Sequence, residues 1–223
     1  MTYEIIASGS KGNAVILDGV ILIDCGVPFR ALAPYAEKLR LVLLTHEHGD
    51  HFKEATIRRL AHDRPALRWA CGRWLVQKLV QAGVDARCID VLDADDPGAY
   101  LYHLDDRAYC VEPIELVHNV RNYGYKLADD SGFRLFYATD TGTLDGIEAK
   151  DYDLYMIECN HKAAEIEERA AEKEAAGLYA YERRAAENHL SEEQAIEWFA
   201  QNASPRSLYV PLHQHAGGDP GAE

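Results

Sequence analysis

The sequence predicts an α/β chain in which two groups of strands alternate with helices. Three observations carry that expectation. Short apolar runs of β-type residues cluster from Tyr3 to Leu44 and again from Tyr100 to Leu212. Turn signals divide them, and stretches rich in helix formers fill the intervals. Two strand groups with helices between them suggest a β-sandwich covered by helices on its outer faces, although the residues alone establish only the α/β mixture.

The elements follow in order. Tyr3 to Ala7, Ala14 to Asp18 and Val20 to Asp24 read as strands, parted by Ser8-Gly9-Ser10-Lys11-Gly12-Asn13 and by the hairpin signal Asp18-Gly19. Phe29 to Lys38 is a predicted helix, Leu39 to Leu44 a strand, and Glu54 to Ala61 a helix. Trp74 to Gln81 gives a further short helix, ended by Gly83. A second set of strands runs over Tyr100 to Leu104, Cys110 to Val117, Tyr123 to Leu127 and Arg134 to Ala138, with Asp129-Asp130-Ser131-Gly132 as a hairpin turn. Leu154 to Glu158 and Leu208 to Leu212 complete the set. Between these two, Lys162 to Asn188 is rich in Ala, Glu and Arg and reads as a solvated helix or helix pair. Residues 217–223 read as a flexible tail.

A chain of 223 residues fits one domain spanning positions 1–223. Its longest apolar runs are strand-sized, and the N-terminus lacks the basic segment and apolar core of a signal peptide. A soluble, cytoplasmic protein without membrane association is therefore expected. Five cysteines (Cys25, Cys71, Cys88, Cys110, Cys159) at irregular spacing, with no Cys-x-x-Cys pair, argue against a disulfide framework. The net charge of −14 counts against broad, sequence-independent coating of nucleic acid, which depends on many Lys and Arg contacts to phosphate. It does not exclude a nuclease whose metals and a few arginines bind locally.

The chemistry is concentrated in Thr45-His46-Glu47-His48-Gly49-Asp50-His51, directly after the apolar run Leu39 to Leu44. A strand thus delivers three imidazoles and a carboxylate at its C-terminal end. Nitrogen and oxygen donors without thiolates suit borderline metals such as zinc in a catalytic site. Single donors follow other predicted strands: His118 after Glu115-Leu116-Val117, Asp140 after Phe136 to Thr139, and His213 after Tyr209 to Leu212.

The motif His46-x-His48-x-Asp50-His51, followed in this order by His118, Asp140 and His213, resembles the signature of the metallo-β-lactamase superfamily, and the likeness runs along nearly the whole chain. It implies the four-layer αβ/βα sandwich of that family and two divalent metal ions, with zinc favoured by the ligand set and manganese also used in related nucleases. By resemblance His46, His48 and His118 hold one ion, Asp50, His51 and His213 the other, and Asp140 bridges them. A metal-bridging hydroxide is the implied nucleophile, which Asp50 also steers. His215 competes with His213 for the last position. Asp24, closing the strand Ile21-Leu22-Ile23-Asp24, matches an acidic motif that supports the metal loop by hydrogen bonding.

Three further segments resemble YycJ-like (WalJ-type) hydrolases, within the broader group containing RNase Z and RNase J. They are Ser8 to Asn13 against Ser-Gly-Ser-x-Gly-Asn, Glu158-Cys159-Asn160-His161 against Glu-Ser-Asn-His, and Asn188-His189-Leu190-Ser191 against Gly-His-Leu-Ser before a helix. Ser191 with Gln194 forms a capping-box pattern, which places His189 at a helix N-terminus, a setting that favours anions. The resemblance implies His189 as general acid with Glu158 as its partner. It also implies substrate contacts from Ser10, Asn13, Asn160 and His161; Arg184, with Arg183, is a candidate phosphate contact. The span between Asp140 and His213 leaves no room for the β-CASP insertion of RNase J, and the exosite arm of RNase Z is not recognisable.

The expected function is a binuclear metal-dependent phosphodiesterase or nuclease, a 5′ exodeoxyribonuclease by resemblance, with nucleic acid or a smaller phosphodiester as substrate. Two alternatives stay open. One is a small-molecule hydrolase, a cyclic phosphodiesterase or a hydroxyacylglutathione-type thioesterase; the other is a metal-stabilised binding module without turnover. No motif speaks to oligomeric state.

Overall fold

Each run of apolar residues in the computed structural model, which describes residues 1–96 and 98–213, becomes a strand beside its neighbour in sequence. The first sheet holds β1 (Tyr3–Ala7), β2 (Ala14–Leu17), β3 (Ile21–Ile23), β4 (Leu41–Leu44), β5 (Arg68–Gly72) and β6 (Ile89–Leu92), in that spatial order. The first three form an antiparallel meander, whereas β3 to β6 are mutually parallel. Parallel neighbours need crossover connections, and these carry α1 (Phe29–Leu32), α2 (Glu54–Asp63) and α3 (Val76–Gln81). The helix predicted over Phe29 to Lys38 shrinks to α1 and gives way to turns. Pro34 accounts for this, since its ring removes an amide donor and clashes with the preceding turn.

The second sheet contains β7 (Tyr100–Leu104), β8 (Arg107–Leu116), β9 (Asn122–Asp129), β10 (Arg134–Ala138), β11 (Leu154–Glu158) and β12 (Leu208–Leu212), again in sequence order. Its first four strands are antiparallel and the last three parallel. Pro211 is tolerated because β12 lies at the sheet edge. Helices α4 (Ala163–Ala175), α5 (Tyr181–Asn188) and α6 (Glu192–Asn202) connect β11 to β12.

Period-two alternation along the strands sorts side chains into layers. Val15, Leu17, Ile21, Ile23, Leu41 and Leu43 cluster with Tyr125, Leu127, Leu135, Tyr137 and Met156 between the sheets. Alternate residues Ile16, Leu22, Val42 and Leu44 pack instead with Leu32, Ile57, Leu60 and Leu79 on the first sheet's outer face. On the far side Phe136, Tyr155 and Ile157 meet Leu190, Ala195 and Trp198. Helices therefore cover both outer faces, as the αβ/βα order requires. Leu43 is fully buried at the centre, so Leu43→Ala should lower unfolding stability by about 2–5 kcal/mol, read as a fall in urea midpoint at constant m.

No disulfide joins the described cysteines, and no described helix is long and apolar enough to cross a membrane. His215 and positions 217–223 lie outside the described residues. At one edge of the sandwich Arg107 bridges Asp18 and Asp129 and so ties the two sheets. The opposite edge collects the C-terminal ends of β3, β4, β8, β10, β11 and β12. Strand ends of this kind leave loops free to converge.

Candidate metal centre

Three of the residues at these strand ends have a left-handed backbone: Asp24 (φ 60°), Asp140 (φ 56°) and His213 (φ 50°). Aspartate and histidine tolerate that region better than most side chains, and such strained positions gather at functional sites. All three are buried. The buried amide of Asn122 fixes the Asp140 turn, donating to the backbone oxygens of Thr139 (2.8 Å) and Asp140 (2.7 Å).

The ligand atoms of His46, His48 and His118 lie within 4.8 Å of one another, as do those of Asp50, His51 and His213. Asp140 forms a third such group with His46 and His51, and so stands between the two trios. His51 Nε2 is 3.0 Å from Asp140 Oδ2 and 3.5 Å from Asp50 Oδ2.

The donor set fits divalent metals on two grounds. The first is the fate of the remote nitrogens. His51 Nδ1 is held by Asp24 Oδ2 at 2.6 Å, His213 Nδ1 by Glu158 Oε1 at 2.8 Å, and His118 Nδ1 by the Asn188 carbonyl at 3.2 Å. Each partner favours a proton on Nδ1 and a lone pair on Nε2, the arrangement of a metal-ligating histidine. His213 Nε2 is accordingly buried with no hydrogen-bond partner among the described residues. The second ground is spacing. His48 Nδ1 lies 3.1 Å from His46 Nε2 and 3.3 Å from His118 Nε2, and nitrogens sharing a tetrahedral zinc at about 2.0–2.1 Å stand about 3.3 Å apart.

The electrostatics divide the crevice. Burial, with the neighbouring charge of His51, pushes His46 well below the usual imidazole range, and burial lowers His118 as well. Burial also opposes charge on His51, but Asp140 and Asp24 outweigh it and hold this imidazolium up to about 10. His213 is raised against its burial, by Asp140 first and then by contacts to Asp50 and Glu158. His46 and His118 thus disfavour a proton on one side, while the carboxylates of Asp24, Asp140 and Glu158 dominate the other.

A family model described as a beta-lactamase superfamily domain matches residues 20–213. The chain belongs to the beta-lactamase superfamily. Among curated proteins this superfamily member is similar to a ribonuclease Z from Nocardia farcinica (strain IFM 10152), 27% identical over 107 residues. That match covers 45% of this chain and 35% of the relative, about a third of its length. Among solved structures it resembles YhfI from Bacillus subtilis, a metallo-beta-lactamase fold protein, with a TM-score of 0.70 and 17% identity, covering 97% of this chain and 87% of that one. It also resembles a long form RNase Z from yeast, with a TM-score of 0.62 and 12% identity, covering 99% of this chain and 38% of the other. Both are likenesses of the metallo-β-lactamase fold.

In this superfamily member the remaining expected site residues fall at varied places. Asn13 is buried beneath the metal loop, where its amide nitrogen lies 3.2 Å from Asp50 Oδ2 and 2.7 Å from His51 Nε2. It is thereby placed as a support of the loop, turned inward, while Ser10 on the same turn is exposed. Ser8 Oγ accepts the His213 amide at 2.6 Å. Asn160 donates to the His213 carbonyl at 3.3 Å, and His161 is half-buried and bridges Ser191 through its backbone. Arg184 is exposed on α5, set apart from the ligands. His189 ends α5 as its C-cap, just ahead of the capping box formed by Ser191 and Gln194 on α6.

Glu158 has more partners than its sequence position suggests. Its Oε1 takes both His189 Nδ1 (2.6 Å) and His213 Nδ1 (2.8 Å), and Oε2 accepts the Thr141 amide at 2.9 Å. Burial pushes this carboxyl up, yet the two histidines bring it below its ordinary range. Burial likewise opposes charge on His189, and Glu158 raises it.

Several supports escape sequence reading. Thr45 donates through both its amide and its hydroxyl to Asp24 Oδ1, each at 2.9 Å; its place between strand and first histidine was the available signal. Asn122, Thr141 and the Asn188 carbonyl carried none. Gly26 packs so closely on the metal loop that a Cβ there would stand 1.6 Å from the Asp50 carbonyl oxygen. Gly26→Ala should therefore displace Asp50 and His51 and weaken metal binding at least tenfold, measured by metal titration on protein that keeps its circular dichroism spectrum.

Proposed function

We propose that this protein is a metal-dependent phosphodiesterase that acts on nucleic acid as a nuclease. The reading is carried by one observation: Glu158 holds His189 beside the crevice, with its ring centroid 5.4 Å from that of His118 and 5.2 Å from that of His213, one ligand of each trio. A proton donor fixed against both halves of a metal centre suits the departure of an alkoxide from phosphorus. Similarity to a ribonuclease Z supports the same class, and the segments resembling YycJ-like hydrolases favour a 5′ exodeoxyribonuclease.

Two divalent ions at the crevice, zinc by donor type with manganese as the alternative, would supply Lewis acidity to activate a water and to neutralise charge on the phosphate. The chain's own groups do the rest. Asp50 Oδ2, facing His51 Nε2 and His213 Nε2, orients the attacking water. His189 keeps its Nδ1 proton on Glu158 and gives the proton on Nε2 to the leaving oxygen. Glu158 settles which nitrogen faces substrate, as an orienting carboxylate does in other acid–base sites.

The test is cleavage of end-labelled DNA and RNA by metal-loaded protein, wild type against His48→Ala. Cleavage by the wild type alone is expected; equal activity in the two preparations would reject the reading. The net charge of −14 favours a second reading, a small-molecule hydrolase on the same metals. Turnover of a thioester in the absence of any turnover of bis(p-nitrophenyl) phosphate would select it.

A further inference from the structure

Helices α4 and α5 form a hairpin whose tip exposes two large apolar side chains, Leu178 at 63% and Tyr179 at 76%. Together with Arg183, Arg184, Glu174 and Glu187 they line a groove that follows α5. The helix that lines this groove ends at His189. Glu187 stands two residues before His189, and the Glu187 carbonyl packs so tightly on Gly142 that a Cβ there would lie 2.1 Å from it. Eight helical residues cover roughly 12 Å, so the tip lies about that far from the acid.

The charges in the groove are unequal in what they leave free. Arg183 is tied to Glu174 at 3.1 Å and to Glu167, so its charge is already taken up by acids. Arg184 and Glu187, in contrast, each have no ion-pair partner within 4.0 Å among the described residues, so Arg184 is the one cation of the groove left without an acid on it. Beside it stands an aromatic ring open to solvent.

We propose that this groove is the leaving-group-side subsite for single-stranded nucleic acid, with Tyr179 stacking a base and Arg184 meeting a phosphate. The inference rests on the phosphodiesterase reading and deepens it. His189 protonates the leaving oxygen, so the chain that departs extends past His189 along α5. Stacking on an exposed ring is open to every base, and an adjacent arginine that meets the backbone completes a sequence-tolerant platform. The separation from His189 means that a base more than one nucleotide from the cleaved bond is engaged.

The experiment compares KM for a labelled single-stranded oligonucleotide with KM for bis(p-nitrophenyl) phosphate, which has no nucleotide to place in the groove. Wild type, Tyr179→Ala, Tyr179→Phe and Arg184→Ala are measured. The ratio of the two KM values should rise about tenfold or more in Tyr179→Ala and stay near wild type in Tyr179→Phe. Arg184→Ala should raise the ratio and flatten the salt dependence of oligonucleotide binding by about 0.7 in log–log slope. A wild-type ratio in both alanine variants would overturn the subsite while leaving the phosphodiesterase reading intact. Diester hydrolysis with no oligonucleotide binding in the wild type would overturn it too, and would point to a protein partner for the hairpin tip. Hydrolysis of neither substrate would remove the reading and the subsite together.

Discussion

Asp140→Asn should leave the protein folded and largely strip it of metal, with activity down about a thousandfold or more. The backbone reason for this choice is the left-handed turn at φ 56°, which asparagine accepts as readily as aspartate. The Asn122 bonds to the turn go to backbone oxygens, and the Thr139 hydroxyl, 2.8 Å from Oδ2, keeps an acceptor in the amide oxygen. What vanishes is the negative charge shared between His46 and His51. Each trio loses its common carboxylate, and a bound metal contributes several kcal/mol to transition-state charge stabilisation, of which about 4 kcal/mol corresponds to a thousandfold. Metal content by elemental analysis and diester hydrolysis should fall together. Retention of full metal and rate would show that Asp140 is a structural turn residue only.

His189→Ala should separate proton donation from metal chemistry. On nucleic acid, whose leaving group is an alkoxide, kcat should fall roughly 10²- to 10⁴-fold, the usual worth of a positioned general acid. On bis(p-nitrophenyl) phosphate the loss should stay below about tenfold, because p-nitrophenolate departs without a proton. Metal content should be unchanged, since His189 belongs to neither trio. Glu158→Gln gives the contrast. Its Oε1 serves His189 and His213 at once, so this variant should lose both the acid's alignment and affinity at the second trio. Equal losses of His189→Ala on the two substrates would eliminate the acid role.

Much of the fold was legible because strand alternation is local. The second sheet was predicted strand by strand, and the meander of the first likewise. Two strands of the first sheet, β5 and β6, were not anticipated. Both are parallel and short, and β5 is covered on both faces, so its Arg-Trp-Ala-Cys-Gly run shows no alternation to read. The metal loop was legible for the opposite reason, that His46 to His51 are contiguous and need only one turn to converge. His118, Asp140 and His213 were reached through their order along the chain, since a lone donor at a strand end carries little information. For Asn13 the motif suggested an open contact to substrate, and only the packing of its turn against Asp50 and His51 faces it inward.

By itself the sequence determined the donor chemistry: which imidazoles and carboxylates are present, and that strands end where they stand. The tertiary structure decided which atom of each donor faces the crevice. The groups that orient the imidazoles are distant in the chain, Asp24 being 27 residues from His51, Glu158 55 from His213, and Asn188 70 from His118. Each of these bonds, under 3.3 Å, exists only once strands or helices distant in the chain have packed side by side: β3 with β4 for Asp24 and His51, β11 with β12 for Glu158 and His213, and the end of β8 with α5 for His118 and Asn188. No periodicity or spacing encodes it, because the partner is chosen by packing.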